Sequence, residues 1–114
     1  GPADILNKTI CQDFTDAAKY LPAQFADLLI LDPPYNIDKR FEGTKFKKQS
    51  IDSYTDWFDS FFPLTLELLK PDASLYICSD WFTSVPVYNI VSKYVKVRNR
   101  ITWEREKGRV NKEL

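Results

Sequence analysis

Apolar runs separated by polar breaks divide the chain into predicted strands and helices. The strongest run, Leu28 to Leu31, has no polar interruption. Such a run is typical of a strand that is covered on both faces in a parallel sheet, and we predict that this strand extends from Ala26 to Leu31. Shorter apolar-leaning runs predict further strands over Leu6 to Cys11, Ala73 to Cys78 and Val95 to Trp103. The last of these alternates apolar and basic residues, so we place it nearer a sheet edge.

Helical spacing predicts helices between these strands. A short helix over Thr15 to Tyr20 ends at Leu21-Pro22, and another covers Val85 to Tyr94. The longest begins at Ser53-Tyr54-Thr55-Asp56 with a pattern like a capping box, and Lys70-Pro71 stops it. Its apolar face is too broad for a surface helix, so we predict that it packs into the core. The apolar residues of this face are Trp57, Phe58, Phe61, Phe62, Leu64, Leu66, Leu68 and Leu69.

Alternation of strands and helices predicts an α/β fold with mostly parallel strands and helices on the faces. For the first strand–helix–strand unit we expect a right-handed parallel crossover. Residues 36–52 have no periodicity, so we predict a long flexible loop there, of the kind that is usually functional or disordered. We predict that Phe41 and Phe46 in this loop either pin it to the body or wedge into a ligand.

Composition indicates a packed globular domain. The chain has 114 residues, of which 44% are hydrophobic and 15% aromatic. It contains no apolar run near the ~20 residues of a membrane span and no visible secretory signal, so we expect no membrane partner. Gly1-Pro2 looks like a protease-cleavage scar, and residues 1–3 are interpreted as a tag remnant.

The cysteine and histidine content limits the chemistry. Cys11 and Cys78 lie in apolar runs, so we expect buried free thiols and not a disulfide. The sequence has no histidine. With two isolated cysteines, this makes a zinc site unexpected, and it removes the commonest general base.

Charge is balanced overall but unevenly distributed. Residues 1–38 hold two cations and six acids, whereas residues 39–48 hold five cations and one acid. From Lys93 onward there are eight cations and three acids. The two basic segments are either phosphate contacts or solvated loops.

The motif with the clearest chemical content is Asp32-Pro33-Pro34-Tyr35. It directly follows the buried strand, and its prolines end the ladder because they have no N–H to donate. The strand therefore delivers Asp32 and Tyr35 to the carboxyl edge of the sheet, where open α/β sheets bind ligands. The alternative is a structural turn in which Asp32 caps and Tyr35 packs.

Asp-Pro-Pro-Tyr after an apolar strand resembles the catalytic motif of S-adenosylmethionine-dependent DNA amino-methyltransferases of the β-class, chiefly those acting on adenine N6. Leu69 to Ile77 and Ile101 to Gly108 are also similar to this family, except that Asp72-Ala73 stands where the family usually has Gly-Gly. The resemblance runs from about Leu6 to Gly108. It implies a partial Rossmann-like methyltransferase sheet, a role in restriction-modification, and a cytoplasmic prokaryotic protein that acts on double-stranded DNA.

The resemblance also implies roles for single residues. Asp32 and the carbonyl of Pro33 would accept the two hydrogens of the target amino group, with Pro34 holding the motif rigid. Tyr35 would stack on the flipped base. Asp13 and Phe14 match the family's contacts to the cofactor's adenine, and Asp32 would also touch the cofactor; the alternative is that Asp13 caps a helix and Phe14 packs in the core. The residues implied in substrate binding are Tyr35, Asn36, Lys39, Arg40 and Trp81, and Trp81 otherwise caps the core.

A glycine-rich turn of the family, which holds the methionine part of the cofactor, has no counterpart in this sequence. The glycines are Gly1, Gly43 and Gly108, and none lies in such a turn. We therefore expect residues 4–108 to be the catalytic half of a methyltransferase, with residues 109–114 leading to an absent half. The open sheet would then pair with a second copy or with a complementary C-terminal half. Alternative hypotheses are an enzyme acting on RNA or protein, and a non-catalytic scaffold of the same fold.

A calorimetric titration tests this expectation of an incomplete cofactor site. The isolated chain should bind S-adenosylmethionine weakly or not at all, because the backbone turn that approaches the cofactor closely needs glycines that the chain lacks. Tight binding would show that the chain holds a complete site.

Overall fold

The structure, a computed structural model, describes residues 1–41 and 44–104 of the chain. The predicted tail over 109–114 lies outside the described residues. Two short 3-10 helices cover Pro2–Asp4 and Ala18–Tyr20. The helices and strands, in chain order, are α1 (Phe14–Ala17), β1 (Ala26–Leu31), β2 (Lys39–Phe41), β3 (Thr44–Phe46), α2 (Ile51–Glu67), β4 (Leu69–Ile77) and α3 (Ser84–Tyr94).

The central unit is the parallel pair of β1 and β4. Leu29 lies opposite Leu75, and Leu31 lies opposite Ile77. Their register shifts near the start of the pair, where β4 carries the extra residues that include Pro71; a bulge accommodates a proline that cannot donate to a ladder. The strand begins at Leu69 and not at the predicted Ala73, and the predicted α/β class is confirmed.

Helix α2 supplies most of the core. Ser50 caps it by accepting a hydrogen bond from the Ser53 N–H, so the helix begins before the predicted Ser53, which lies in its first turn. The predicted aromatic stripe is buried as expected, and its rings pack against one another: the Phe58 and Phe62 centroids lie 5.3 Å apart. The buried residues of α2 are Tyr54, Phe58, Phe61, Phe62 and Thr65.

Helix α3 packs beside α2 and completes this core. It confirms the helix predicted over Val85 to Tyr94, and Val87, Ile90 and Val91 are buried. Leu31, Leu75 and Ile77, all from the same face of the β1–β4 pair, pack against the cluster that the two helices form. One face of the sheet is thus covered by helices.

The opposite face of the pair is open, which corrects the prediction that β1 is covered on both sides. Leu28 is 54% exposed, Ile30 is 67% exposed and Tyr76, opposite Ile30, is 52% exposed. Residues two apart along a strand share a face, so these side chains form one apolar surface. An uninterrupted apolar run indicates burial in the assembled protein, and the described residues provide a cover for one side only.

The predicted strand over Leu6 to Cys11, and with it the predicted parallel crossover, is wrong. Asn7 has a φ of 59°, a left-handed conformation that interrupts an extended run. Leu6 and Ile10 are exposed. The short helix predicted over Thr15 to Tyr20 is confirmed as α1 and the 3-10 turn that continues it.

The predicted strand over Val95 to Trp103 is also wrong. The segment is irregular and exposed, although its sequence alternates. A strand is stable only with a ladder partner, and among residues 1–41 and 44–104 the structure pairs no strand with this segment. The alternating sequence therefore favours a strand, but the described residues provide no partner strand for it.

The segment predicted as a loop over 36–52 contains ordered structure. β2 and β3 form an antiparallel hairpin within it, and α2 begins at Ile51. Strands of three residues are too short for a period of two to be recognised in the sequence. The side chains of Phe41 and Phe46, predicted to pin the loop or to wedge, lie outside the described part.

Both cysteines are free thiols, but Cys11 is exposed and Cys78 is only half-buried, so the predicted burial of Cys11 is wrong. Cys11 is the last residue of the irregular segment for which the sequence predicts a strand. None of the helices that the structure describes combines the length and the apolar character that a membrane crossing demands.

Truncation of the core aromatic Phe62 should destabilise the domain strongly. Phe62 is fully buried, so Phe62→Ala should lower the free energy of unfolding by about 3–5 kcal/mol through lost burial and a cavity. Urea unfolding followed by tryptophan fluorescence measures this. Phe82→Ala, at a side chain that is 79% exposed, is the matched control and should stay within about 0.5 kcal/mol of wild type. Equal losses in the two variants would contradict the assigned core.

Candidate active site

The candidate site begins where the ladder of β1 and β4 ends. The N–H of Cys78 donates to the carbonyl of Leu31, the last residue of β1, at 2.9 Å. Asp32 follows directly in the sequence. The prolines follow, so the motif leaves the sheet as predicted at its carboxyl edge. Asp32 is exposed, Pro33 is buried, and Pro34 and Tyr35 are half-buried.

Two long-range hydrogen bonds hold the backbone of the motif. The hydroxyl of Tyr54, on α2, donates to the carbonyl of Pro34 at 2.6 Å. The N–H of Asn36 donates to the hydroxyl oxygen of Thr83 at 2.9 Å, in a buried position. The peptide groups on either side of Tyr35 are therefore fixed by side chains from two different elements.

Asn36 ties the motif to the start of α2. Its side-chain amide donates to the carbonyl of Gln49 at 2.8 Å, and its side-chain oxygen accepts from the N–H of Gln49 at 2.8 Å. This pair of bonds closes the base of the segment that holds β2 and β3. Asn36 is buried, and both polar groups of its side chain have partners inside the protein. Its predicted contact with the substrate stays a prediction.

The turn between β4 and α3 is ordered by Asp80. Its carboxylate accepts from the N–H of Thr83 at 2.8 Å, and its carbonyl accepts from the N–H of Ser84 at 3.0 Å. Asp80 thus bonds the N–H groups of Thr83 and Ser84, while the hydroxyl oxygen of Thr83 accepts from the N–H of Asn36.

A pocket of about 220 Å³ lies beside the motif. It brings together two segments that the sequence proposed for one site, Asp13-Phe14 and Pro33-Pro34. The remaining lining residues are Thr15, Leu31, Trp57, Ser60 and Phe61. The walls are largely apolar and aromatic, with a carboxylate at one end, which suits a flat ring that carries a polar group.

Asp13 and Phe14 combine the roles between which the sequence left a choice. Asp13 caps α1, since its carboxylate accepts from the N–H of Thr15 at 2.9 Å. Hydrogen bonds from the hydroxyl and the N–H of Thr15 lower the pKa of Asp13, so this carboxylate stays ionised. Phe14 is half-buried and meets Phe61 edge-on, with ring centroids 6.4 Å apart. Both residues also line the pocket, and their predicted contact with a cofactor stays a prediction.

The two tyrosines of the site are neutral at physiological pH. Burial raises the pKa of Tyr35, and the charge of the nearby Asp32 carboxylate adds to the effect. Burial also raises the pKa of Tyr54, with a further contribution from Asp80. A protonated phenol is a hydrogen-bond donor, which the bond from Tyr54 to Pro34 requires.

Among the side chains that the structure describes, those of Asp32, Tyr35 and Trp81 do not line the pocket. Trp81 is 70% exposed, so the alternative in which it caps the core is wrong; the guanidinium of Arg100 lies 5.1 Å from its ring centroid. Lys39 and Arg40 belong to β2, and their side chains lie outside the described part. Across residues 1–41 and 44–104, no three acidic, cysteine or histidine side chains form a group suited to a metal ion.

Sequence reasoning missed Tyr54, Gln49 and Thr83 as parts of the site. In the sequence, Tyr54 stands out only within the capping-box pattern at the start of the helix, so both the burial of its ring and the hydrogen bond of its hydroxyl are missed. A tyrosine among phenylalanines in a buried stripe is the one signal that pointed to a polar partner. Nothing in the sequence indicated the bonds of Gln49 and Thr83.

Comparison with known proteins assigns the family. Residues 26–113 match the DNA methylase family, and the chain belongs to it. The family includes enzymes of the adenine-N6 and cytosine-N4 types. The sequence prediction of an amino-methyltransferase family is thereby confirmed.

Individual relatives are bacterial methyltransferases. The chain is 30% identical to the type II methyltransferase M.BamHI of Bacillus amyloliquefaciens, over 90% of the chain and 24% of that protein. It is 31% identical to the DNA adenine methyltransferase YhdJ of Escherichia coli K12, over 75% of the chain and 29% of that protein. It is 32% identical to the type II methyltransferase M1.MboII of Moraxella bovis, over 86% of the chain and 36% of that protein.

The chain thus spans between 24% and 36% of the length of these relatives. No solved structure matches it.

The raised pKa of Tyr54 predicts a specific loss of stability in alkali. The phenol of the unfolded chain ionises near the ordinary value of 10.0, whereas the folded protein keeps Tyr54 protonated. The contribution of this pKa difference to the free energy of unfolding is therefore complete below pH 10. Above pH 10 it declines, by up to about 1.4 kcal/mol per pH unit. Tyr54→Phe should remove this part of the pH dependence and cost about 1 kcal/mol at pH 8.

Urea unfolding of both proteins between pH 8 and about pH 11.5 measures the difference. Tyr20→Phe, at an exposed tyrosine, should follow the wild-type curve. Parallel curves for wild type and Tyr54→Phe would contradict the buried protonated phenol.

Proposed function

We propose that this chain forms the catalytic part of a DNA methyltransferase that uses S-adenosylmethionine and methylates the N6 amino group of adenine. The observation that carries the proposal is a pocket that Asp13-Phe14 and Pro33-Pro34 line together, next in the sequence to the exposed Asp32. Membership of the DNA methylase family supports it. Because the match covers only 24% and 29% of the length of two of these relatives, the activity is proposed for the protein that contains this chain.

The proposed chemistry rests on hydrogen-bond acceptors. An exocyclic amino group is a poor nucleophile, because its lone pair is delocalised into the ring. The carboxylate of Asp32 and the carbonyl of Pro33 accept its two hydrogens, which frees the lone pair and stabilises the positive charge that develops on nitrogen. Acceptors that are held in place beforehand need no reorganisation during the reaction.

The target base must leave the duplex to reach these acceptors. In the proposal Tyr35 stacks on the flipped base, for which its half-buried, neutral ring is suited. Asn36 and Trp81 border the same edge, and Lys39 and Arg40 contribute positive charge that favours DNA phosphates. Trp81 and its partner Arg100 are exposed and accessible to a nucleic acid.

The pocket fits the adenine part of S-adenosylmethionine. Phe14, Trp57 and Phe61 supply aromatic walls, and the ionised Asp13 supplies an acceptor for an amino group. When bound, the cofactor supplies an electrophilic methyl group on a positively charged sulfur. In the proposal, the carboxylate of Asp32, the residue before Pro33, supplies a negative charge that favours the positively charged sulfur.

Adenine is preferred over cytosine as the proposed target for two reasons. Aspartate at the first position of the motif is more typical of adenine enzymes, and one relative, YhdJ, is a DNA adenine methyltransferase. The family also includes cytosine-N4 enzymes, so the product must be identified chemically.

The open face of the sheet supports a proposal about partners. Leu28, Ile30 and Tyr76 form an exposed apolar surface, which is costly to leave in water. We propose that the remainder of the enzyme or a second copy of the chain covers this surface. Double-stranded DNA would bind at the edge of the sheet that carries the motif. Its bacterial relatives favour a prokaryotic, cytoplasmic protein.

Replacement of Asp32 should separate catalysis from folding. Asp32→Ala in the full-length natural protein should lower the rate of methyl transfer by at least about 10²-fold, because one of two acceptors for the amino hydrogens is lost. Stability should change little, since Asp32 is exposed. Methyl transfer to double-stranded DNA is measured with labelled S-adenosylmethionine, and mass spectrometry of nucleosides distinguishes N6-methyladenine from N4-methylcytosine.

Asp72→Ala is the matched control, because Asp72 is an exposed carboxylate at the other end of β4. It should retain wild-type activity. Full activity of Asp32→Ala would refute the role of Asp32, and methylcytosine as the product would refute the assignment of adenine.

A further inference from the structure

Tyr54 carries a hydroxyl where the core would pack as well without one. The other large residues of the buried stripe of α2 are Phe58, Phe61 and Phe62, and Tyr54 is as fully buried as Phe58. A buried hydroxyl destabilises a protein unless it forms a hydrogen bond. The bond that it donates is not local, because its acceptor is the Pro34 carbonyl, 20 residues away.

Like the hydroxyl of Tyr54, the hydroxyl of Thr83 forms its hydrogen bond with a distant part of the chain. A threonine at an N-cap normally accepts a hydrogen bond from an N–H of its own helix. In the part of the chain that the structure describes, the Thr83 side chain makes no such capping bond, although it is 1% exposed. It accepts from the N–H of Asn36, 47 residues away, and Asp80 bonds the Thr83 N–H.

Together the two side chains control the orientation of the motif's carbonyls. The ring of Pro34 fixes its φ, so a single soft dihedral separates the Pro34 carbonyl from the peptide plane that carries the Pro33 carbonyl. With the Pro34 carbonyl held by Tyr54 and the N–H of Asn36, two residues further on, held by Thr83, that plane has little freedom left. The N–H of Ile37 also donates to the carbonyl of Tyr35 at 2.7 Å, which tightens the exit of the motif.

We propose that Tyr54 and Thr83 are positioning residues for methyl transfer: through their hydrogen bonds to Pro34 and Asn36 they hold the Pro33 carbonyl and Asp32 in the geometry that receives the amino group. This inference rests on the proposed function. Neither residue touches the substrate, so their loss should affect the chemical step more than binding.

The test compares matched substitutions in the full-length natural protein. Tyr54→Phe and Thr83→Val each remove one hydrogen-bonding group and keep the shape of the side chain. Each should lower kcat by about tenfold to a hundredfold, since small displacements of reacting groups have effects of that size. KM for DNA and for S-adenosylmethionine should stay within about twofold. Thr83→Ser, which keeps the hydroxyl, should restore kcat.

Thr65→Val is the control for a merely structural effect. Thr65 is fully buried on the same helix, and its hydroxyl donates to the carbonyl of Phe62 at 2.6 Å, away from the motif. Its loss should shift the urea midpoint about as much as Tyr54→Phe does, with kcat unchanged. Tyr94→Phe, which removes a hydroxyl bonded to exposed Asp59, should also leave kcat unchanged.

A readout that does not depend on activity is amide hydrogen exchange at Asn36. Thr83→Val should accelerate it, whereas Thr65→Val should not. If wild type methylates DNA and both Tyr54→Phe and Thr83→Val keep wild-type kcat, the positioning role is overturned. A fall in kcat for Thr65→Val equal to that for Tyr54→Phe would also overturn it. If the wild-type protein protects the Asn36 amide from hydrogen exchange but methylates no DNA, the proposed function is overturned instead.

Discussion

The nitrogens of Pro33 and Pro34 carry no hydrogen, and this constraint shapes the whole site. A backbone with two successive missing donors cannot continue a ladder, and it cannot be anchored through its own N–H groups. It can be held only by its carbonyls and by the N–H groups that follow. The structure uses both means, with Tyr54 at the Pro34 carbonyl and Thr83 at the Asn36 N–H. The rigidity that two prolines give to a loop therefore has to be completed by side chains from elsewhere in the fold.

This dependence connects the core to the site through α2. The same helix fills the space above the sheet with Phe58 and Phe62, lines the pocket with Trp57 and Phe61, and extends the Tyr54 hydroxyl to the motif. Close-packed aromatic rings transmit a displacement because they have no void in which to absorb it. The stability of the domain and the geometry of the site therefore both depend on α2.

The sequence predicted those features that depend on local pattern. The strand β1 is recognisable from its uninterrupted apolar run, and α2 and α3 are recognisable from the helical spacing of their apolar residues. The strands predicted over Leu6 to Cys11 and Val95 to Trp103 failed because a strand also needs a partner, and pattern carries no information about partners. The motif itself was recognisable from residue types in series. Its supports were not, because Pro34 and Tyr54, or Asn36 and Thr83, meet only after the chain has folded.

The double hydrogen bond between Asn36 and Gln49 separates what lies between them from the rest of the domain. A closed neck of this kind lets the enclosed segment vary in length and charge while the residues on both sides keep their places, since loop closure depends only weakly on loop length. The basic segment between Asn36 and Gln49 can therefore change in sequence without disturbing Asp32 to Asn36. In the DNA methylase family, such a neck allows the segment between Asn36 and Gln49 to diversify while the motif keeps its geometry.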